Sequence, residues 1–248
     1  MKIRIKFAKS GVMKFIGHLD MMRYFQKAMR RADIDIKYSE GFSPHQIMSF
    51  AAPLGVGITS DGEYLDIEVN STKTTEASIK NLNLAMVDGV EVLEYRQLPT
   101  DAKNAMSIVA AADYKFYIKE GYDNPYSIPE WQEKLNHFFY DRSEVLVTKK
   151  TKKSEKVMDL KQLVYDFQIL EEANRPVFYL KVCTGSTDNL KPELVLLAFY
   201  EFLSLSYEEF AFQIHRVDVY AKKEGEGFVP LGDLGNDILT EIPAHQDK

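Results

Sequence analysis

Four side chains in the N-terminal part of the sequence could transfer protons. They are His18, Asp20, Tyr38 and His45. Imidazole titrates near neutral pH, so two histidines beside a carboxylate could serve as general acid and general base. A metal site would need a further ligand, for which Asp20 and Glu40 are the nearest carboxylates in the sequence. The same residues fit structural roles, with His18 packing at a helix start and His45 fixing a turn, and the sequence leaves both interpretations open.

A second group of residues in this segment could bind phosphate. Four cations recur at the spacing of one helix face: Arg23, Lys27, Arg30 and Arg31. Guanidinium groups pair bidentately with phosphate oxygens, and Lys37 follows closely in the sequence. Tyr38 and Phe42 could stack nucleobases beside these cations. A charged helix stripe is also typical of a solvated outer face, so the sequence predicts a nucleic-acid-binding surface as one of two interpretations.

The charge of the chain is unevenly placed. Residues 1–60 carry ten Lys or Arg against four Asp or Glu, whereas the whole chain has a net charge of -6. A second basic island lies at residues 149–156, where Lys152 and Lys153 could clamp an RNA backbone. The acidic total argues against indiscriminate binding of polyanions, while the local basic patches favour a specific phosphate-bearing partner.

Composition bounds the class of protein. The chain has 248 residues, enough for one large domain or two smaller ones, and its single cysteine, Cys183, excludes an internal disulfide and a cluster held by several thiolates of this chain. No apolar run approaches the roughly 20 residues that span a bilayer. The N-terminus alternates charged and apolar residues and lacks the apolar core of a signal peptide. We therefore expect a cytoplasmic protein with no metal, no cofactor and no membrane association.

The elements that must position the N-terminal residues form a recognisable order. Residues 2–8 alternate apolar and charged side chains, which predicts a half-buried strand. A helix is predicted over residues 18–32, because apolar residues recur three or four apart at Leu19, Met22, Phe25, Met29 and Ala32. Further strands are predicted at 34–38, 47–52, 62–69 and 90–98, with a second helix at 75–87. The order, β-α-β-β-α-β with an extra hairpin, is that of a ferredoxin-like split βαβ unit.

The polar, turn-prone residues 98–104 predict a domain boundary. We expect an N-terminal ferredoxin-like domain at 1–98, which carries the basic site, and a C-terminal α/β domain of the same kind at 105–221. Residues 156–170 fit a helix after an Asp159 cap. Residues 222–248 show no pattern and predict a loosely ordered acidic tail. The predicted class is α+β, with tandem ferredoxin-like units whose antiparallel sheets are packed by helices.

Three motifs stand out in the N-terminal part of the chain. They are residues 17–20 (GHLD), residues 38–45 (YSEGFSPH) and residues 49–57 (SFAAPLGVG). Together with looser likeness at residues 152–161 and 185–192, they resemble the radical SAM-linked protein family of DUF2344 domains. The resemblance covers most of the chain.

Members of that family occur beside, or fused to, a radical SAM protein, so the resemblance implies an accessory role near such an enzyme. No catalytic residue can be carried over, because the family has none assigned. We expect an accessory protein that binds or presents an RNA substrate, a tRNA or rRNA, through its basic face. The alternatives are an RNA-processing or RNA-modifying enzyme that uses His18, Asp20 and His45, and a pure protein-interaction module.

Overall fold

A computed structural model describes residues 1–150, 155–185, 188–225 and 227–244. The chain divides into two units: unit 1 comprises Met1–Ala110 and Asp218–Lys248, and unit 2 comprises Ala111–Val217. Both are α+β, as predicted. Among the described residues, no helix is both long enough and apolar enough to cross a membrane.

The helices and strands are numbered along the chain. The first half contains β1 (Lys2–Lys9), α1 (His18–Arg31), β2 (Met48–Phe50), β3 (Thr59–Glu68), α2 (Thr75–Ala85), β4 (Val90–Gln97) and α3 (Ala105–Ile108). The second half contains β5 (Val109–Ile118), α4 (Ile128–Leu135), β6 (Leu146–Lys150), β7 (Glu155–Asp159), β8 (Val164–Glu172), β9 (Arg175–Cys183), α5 (Pro192–Phe202), β10 (Phe212–Lys222) and β11 (Phe228–Pro230). A 3-10 helix, Gly11–Phe15, precedes α1.

Unit 1 has the topology predicted for its first 98 residues. Its strands lie in the order β4-β1-β3, with β2 paired to β3, and β1 runs antiparallel to both of its neighbours. The register places Ile5 opposite Leu65 of β3 and Tyr95 of β4. The connection order β1-α1-β2-β3-α2-β4 with this strand order is the split βαβ arrangement.

The core of unit 1 forms between α1 and the apolar side of β1. Phe25 of α1 packs against Phe7 of β1 at a ring-centroid distance of 4.6 Å and against Phe50 of β2 at 5.8 Å. Met21, rather than Leu19, faces the core. At 3.6 residues per turn, Met21 lies about 40° from Phe25 around the helix axis, whereas Leu19 lies about 120° away. Leu19 is 62% exposed, which corrects the predicted apolar face.

The other side of β1 carries buried charges. Arg4, which is 1% exposed, donates from Nε and Nη2 to the two carboxylate oxygens of Asp66 at 2.7 and 2.9 Å. Lys6 Nζ donates to Asp218 Oδ2 at 2.8 Å, and the Tyr64 hydroxyl donates to Asp218 Oδ1 at 2.7 Å. Charged groups in such a position need partners for every polar atom, and the sequence supplies them from β3 and β10.

Residues 227–244 pack against the rest of unit 1, whereas the sequence led us to expect a loosely ordered tail from residue 222. Leu231 and Ile238 are buried, and the Leu231 carbonyl accepts a hydrogen bond from Arg4 Nη1 at 3.1 Å. Isolated bridges join Asn236 to Gln97 and Ile242 to Thr72. These contacts use single residues rather than a periodic apolar face, so the sequence pattern did not predict them.

Unit 2 repeats the same arrangement. Its strand order is β10-β5-β9-β8, and the connection order is β5-α4-β8-β9-α5-β10, with the antiparallel β6–β7 hairpin inserted after α4. The register places Phe178 of β9 opposite both Phe116 of β5 and Ile169 of β8. The unit begins and ends a few residues inside the predicted domain 105–221, since the division falls within β5 and β10.

Both long helices of unit 2 pack on one face of its sheet. Trp131 of α4 and Phe199 of α5 contact Phe178, at centroid distances of 5.0 and 6.4 Å. The helix predicted over residues 156–170 is absent: β7, a 3-10 turn (Leu160–Gln162) and β8 occupy this segment. Apolar residues three or four positions apart fitted a helix. Pairing with β9 instead places Phe167 and Ile169 on the core face of a strand, where both are buried.

The buried ion pair gives a stability prediction. Asp66→Ala removes the two carboxylate acceptors of Arg4 and leaves its charge buried with only the Leu231 carbonyl, so we expect the free energy of unfolding to fall by about 3–5 kcal/mol. Asp20→Ala is the control, because its pair with Arg23 is 66% and 69% exposed and contributes less than about 1 kcal/mol. Urea denaturation measures both. An equal, small effect of the two substitutions would contradict the structure.

The buried tyrosine gives a pH prediction. Burial, and next the negative charge of Asp218, raise the pKa of Tyr64, so its hydroxyl stays protonated in the folded chain at a pH where an unfolded tyrosine ionises. Its contribution to stability is therefore complete below pH 10 and is lost above it, by about 1.4 kcal/mol per pH unit. We expect Tyr64→Phe to flatten this alkaline loss between pH 10 and 11 in urea denaturation, and identical slopes would refute it.

Candidate nucleic-acid interface

The start of α1 is held by contacts at the end of β1. Lys9 Nζ donates to the Ile16 carbonyl at 2.6 Å, and the Ser10 amide donates to the Gly89 carbonyl at 2.8 Å. Gly89 has a φ of +88°, and a Cβ there would lie 2.7 Å from the Ser10 carbonyl oxygen. This glycine therefore permits the close approach that fixes the segment leading into the helix.

Three cations project from the outer side of α1, and we call Arg23, Lys27 and Arg30 the cationic face. All three are exposed. Arg23 Nη1 lies 3.0 Å from Asp20 Oδ1, but both side chains are about two-thirds exposed, so the pair is weak and Arg23 can exchange Asp20 for an anionic partner at little cost in free energy. Arg30 Nε donates to the Gln26 carbonyl at 3.4 Å within the helix. The cationic face is thus available to an anionic partner.

The other two predicted phosphate ligands are engaged within the protein. Arg31 Nη2 donates to the Ala85 carbonyl at 2.9 Å, and its guanidinium lies 5.8 Å from the ring centroid of Tyr24. Arg31 therefore fixes α1 against the end of α2. Lys37 Nζ lies 3.8 Å from Glu68 Oε2, with 49% and 33% of the two side chains exposed, so this pair is a loose surface contact.

The loop that follows α1 presents the predicted aromatic residues. Tyr38 is 44% exposed, and Phe42 at the loop tip is fully exposed. The loop closes through His45, whose Nδ1 lies 2.9 Å from Ser39 Oγ and whose carbonyl accepts from the Ser39 amide at 2.8 Å. His45 thus has the turn-fixing contacts that were one of its two interpretations.

Gln46 links this loop to α1, and sequence reasoning missed it. Its Nε2 donates to the Gln26 carbonyl of α1 at 3.2 Å and lies 3.4 Å from the Tyr38 hydroxyl. The side chain is buried, at 4% exposed. A single glutamine beside a turn gives no periodic signal, and only the Tyr38 to Gln46 bridge reveals its position. Through it Tyr38 is held next to the helix that carries the cationic face.

The four acid–base candidates have separate partners. The His18 ring packs edge-on against Phe50, with a centroid distance of 5.1 Å and an interplanar angle of 88°. Asp20 pairs with Arg23, Tyr38 with Gln46, and His45 with Ser39. Within the described ranges, no group of three His, Cys, Asp or Glu side chains is placed to hold a metal ion.

Exposed apolar side chains surround the start of α1, a feature that the sequence pattern did not indicate. Val12, Phe15, Leu19 and Val56 are each more than 60% exposed. Lys14 Nζ lies 5.3 Å from the Phe15 ring centroid, and the Lys14 carbonyl accepts from the Gly57 amide at 2.8 Å. The 3-10 helix Gly11–Phe15 has apolar residues but buries none of them.

The predicted second basic contact lies outside the described part of the chain. Lys152 and Lys153 belong to residues 151–154, between β6 and β7. Of the described residues, the cationic face and the exposed aromatic residues of the following loop form the candidate interface.

Comparison with known proteins gives a family match. The family described as "Uncharacterized protein conserved in bacteria (DUF2344)" matches residues 2–192. No curated protein sequence matches the chain. A chain of the "Crystal Structure of a Cbf5-Nop10-Gar1 Complex" is similar in structure, with a TM-score of 0.45 and 10% identity, over 88% of this chain and 48% of that chain. The protein thus spans about half the length of this structural neighbour.

The close approach at Gly89 can be tested against a second glycine. Gly57 has nearly the same φ, +89°, but a Cβ there would meet nothing within 4 Å. Both alanine substitutions strain the backbone by about 1 kcal/mol or more, and only Gly89→Ala adds a clash with the Ser10 carbonyl. We expect Gly89→Ala to lower the free energy of unfolding by at least about 1 kcal/mol more than Gly57→Ala in urea denaturation. Equal losses would show that the approach of Ser10 to Gly89 is not tight.

Proposed function

The chain belongs to the DUF2344 family, and from that premise we propose that it is an accessory protein that binds a structured RNA, a tRNA or rRNA, and presents it to a radical SAM enzyme. The observation that carries the RNA part is the exposure of the cationic face beside exposed aromatic rings. Arg23, Lys27 and Arg30 lie on one helix, and Tyr38 is held next to that helix by Gln46.

The chemistry of this surface fits a phosphate backbone. Arginine side chains bind phosphate through two parallel hydrogen bonds, and lysine binds it as a point charge. Such contacts position an RNA without reading its sequence, whereas a ring such as Phe42 can stack on an unpaired base. The whole chain has a net charge of -6, which repels a polyanion from its other surfaces, so binding through this surface would be local and oriented.

The partner enzyme is the finer part of the proposal, and it rests on the resemblance to the radical SAM-linked family. The single cysteine of the sequence supports the division of labour, because an iron–sulfur cluster needs several thiolates. The cluster and the radical chemistry would then belong to the partner, and this chain would supply RNA recognition.

A protein-interaction module is the second candidate, and the exposed apolar side chains around the start of α1 favour it. Val12, Phe15, Leu19 and Val56 offer a surface that a folded partner could cover. In this alternative the cationic face meets an acidic surface of the partner. A complex that survives nuclease treatment but dissociates in high salt would support the alternative.

The RNA proposal is tested by removing the cationic face. In a fluorescence titration with labelled tRNA, we expect Arg23→Ala/Lys27→Ala/Arg30→Ala to weaken binding at least about tenfold. We also expect the slope of log K against log salt to become shallower by about 2 to 3. Arg31 is left intact because it fixes α1 to α2.

The matched control removes three exposed cations elsewhere in unit 1. Lys73→Ala/Lys80→Ala/Lys103→Ala changes the net charge by the same amount but leaves the cationic face unchanged. Equal weakening by both triple variants would mean that only the total charge matters. Wild-type affinity in the cationic-face variant, or no RNA binding by the wild type, would overturn the proposal.

A further inference from the structure

Among the described residues of unit 2, the helices cover one face of the sheet and leave the other face free of helices. Directly opposed residues of antiparallel strands point to the same side of a sheet, and neighbours along a strand point to opposite sides. Phe116 and Phe178 are opposed and face the helices, since Trp131 packs on Phe178. Tyr117 of β5 and Tyr179 of β9 follow these residues in sequence, so both lie on the helix-free face.

The ring of Tyr117 lies along the sheet surface. Its hydroxyl donates to Glu172 Oε2 at 3.1 Å, and Glu172 is on β8, two strands away in the order β5-β9-β8. Strands are about 4.8 Å apart, so the tyrosine must extend across β9 to reach that carboxylate. Val177 of β9, opposite Tyr117 in the register, is 1% exposed, as a residue beneath a flat ring would be.

The ring of Tyr179 is held in a similar way. Its hydroxyl donates to Asp113 Oδ2 at 2.9 Å. Asp113 pairs with Lys181, two residues beyond Tyr179 on β9, so the tyrosine leans diagonally across the sheet to reach it. Asp113 is only 3% exposed, while Tyr179 is half-buried. Burial, and next the charge of Asp113, raise the pKa of Tyr179, which keeps the hydroxyl protonated as the donor of this bond.

We propose that the helix-free face of unit 2 binds single-stranded RNA by stacking unpaired bases on the rings of Tyr117 and Tyr179. Aromatic rings on the two central strands of a four-stranded sheet are the platform that RNA-recognition modules use for this purpose. The carboxylates Asp113 and Glu172 fix the rings in advance, so little side-chain freedom is lost when a base stacks. This inference adds a second RNA contact and rests on the proposed function for the choice of RNA.

Stacking, rather than charge, distinguishes this face from the cationic face. Lys115 Nζ lies 2.6 Å from Glu172 Oε1, and Lys181 stands opposite Asp113 in the register, so cations and carboxylates balance locally. Binding here would release few counterions and would depend weakly on salt. The salt dependence therefore separates the two surfaces.

A cavity extends the platform at the Tyr117 end. Its volume is about 520 Å³, within the range of about 300–1,000 Å³ that is usual for small-molecule sites. Tyr117 and Glu172 line it together with Tyr122, Asn124 and the exposed Arg175. Arg175 is the cation placed to meet the phosphate of a nucleotide whose base stacks on Tyr117.

The test uses the full chain and a fluorescein-labelled octauridylate, with binding followed by anisotropy. We expect Tyr117→Ala and Tyr179→Ala each to weaken binding about tenfold, with a salt slope unchanged from the wild type. Tyr179→Phe keeps the ring and loses only the bond to Asp113, so its loss is expected to stay below about threefold. Tyr140→Ala is the control. Tyr140 lies in the helical segment after α4, is 49% exposed and donates its hydroxyl to the Phe167 carbonyl, so it also is a hydrogen-bonded surface tyrosine.

The outcomes separate this inference from the proposed function. Octauridylate affinity unchanged in both alanine variants overturns the platform, even where the cationic-face variant loses tRNA binding. If the tyrosine variants lose octauridylate binding but the cationic-face variant keeps wild-type tRNA affinity, the platform is supported and the proposed interface on α1 is rejected. If an alanine variant fails to fold, ultraviolet crosslinking of the wild-type protein to an RNA containing 4-thiouridine tests the platform instead. Crosslinks on Tyr117 or Tyr179 peptides support the platform, and crosslinks confined to other peptides overturn it.

Discussion

The charged side of β1 is the constraint on which unit 1 depends. One side of β1, with Ile3, Ile5 and Phe7, lies in the apolar core, and the other side carries charged residues. Arg4 on that side is buried, and a buried guanidinium is tolerated only when every donor has a partner. Asp66 supplies two acceptors, and the Leu231 carbonyl near the C-terminus supplies another. Unit 1 is therefore discontinuous in sequence because its first strand requires partners from the end of the chain.

The cations of α1 differ in their contacts with the rest of unit 1. Phe25 anchors the helix in the core, and Arg31 ties its last turn to the Ala85 carbonyl of α2. Removing Arg23, Lys27 and Arg30 leaves these two anchors in place, because the contacts of Arg23 with Asp20 and of Arg30 with the Gln26 carbonyl are exposed. A surface held rigidly by other residues loses little entropy on binding, which suits the proposed recognition role better than a mobile arm would.

Much of this fold could be predicted from the sequence, since alternation in β1 and apolar spacing in α1 report burial directly. The exceptions share a cause. Leu19 and Met21 both fit an apolar stripe, and only the docking of Phe25 decides between them. Residues 156–170 fit a helix until β9 is present as a pairing partner for β8. Gln46 contacts the Gln26 carbonyl, which is twenty residues away in the sequence, and the Tyr38 hydroxyl across the turn. Local patterns report which residues are buried, but the choice of partner belongs to tertiary structure.

In the structure, the acid–base candidates have different partners. General acids and bases are usually tuned by burial or by a neighbouring charge, and they act in concert within hydrogen-bond reach of one another. His45 is exposed and bonded to Ser39, Asp20 is two-thirds exposed beside Arg23, and His18 packs edge-on against Phe50. Each arrangement has a structural cause in the loop, the helix surface or the core. The rings of Tyr38, Tyr117 and Tyr179 combine a hydrogen-bonded hydroxyl with a partly exposed side chain, which is the arrangement that a preformed stacking surface requires.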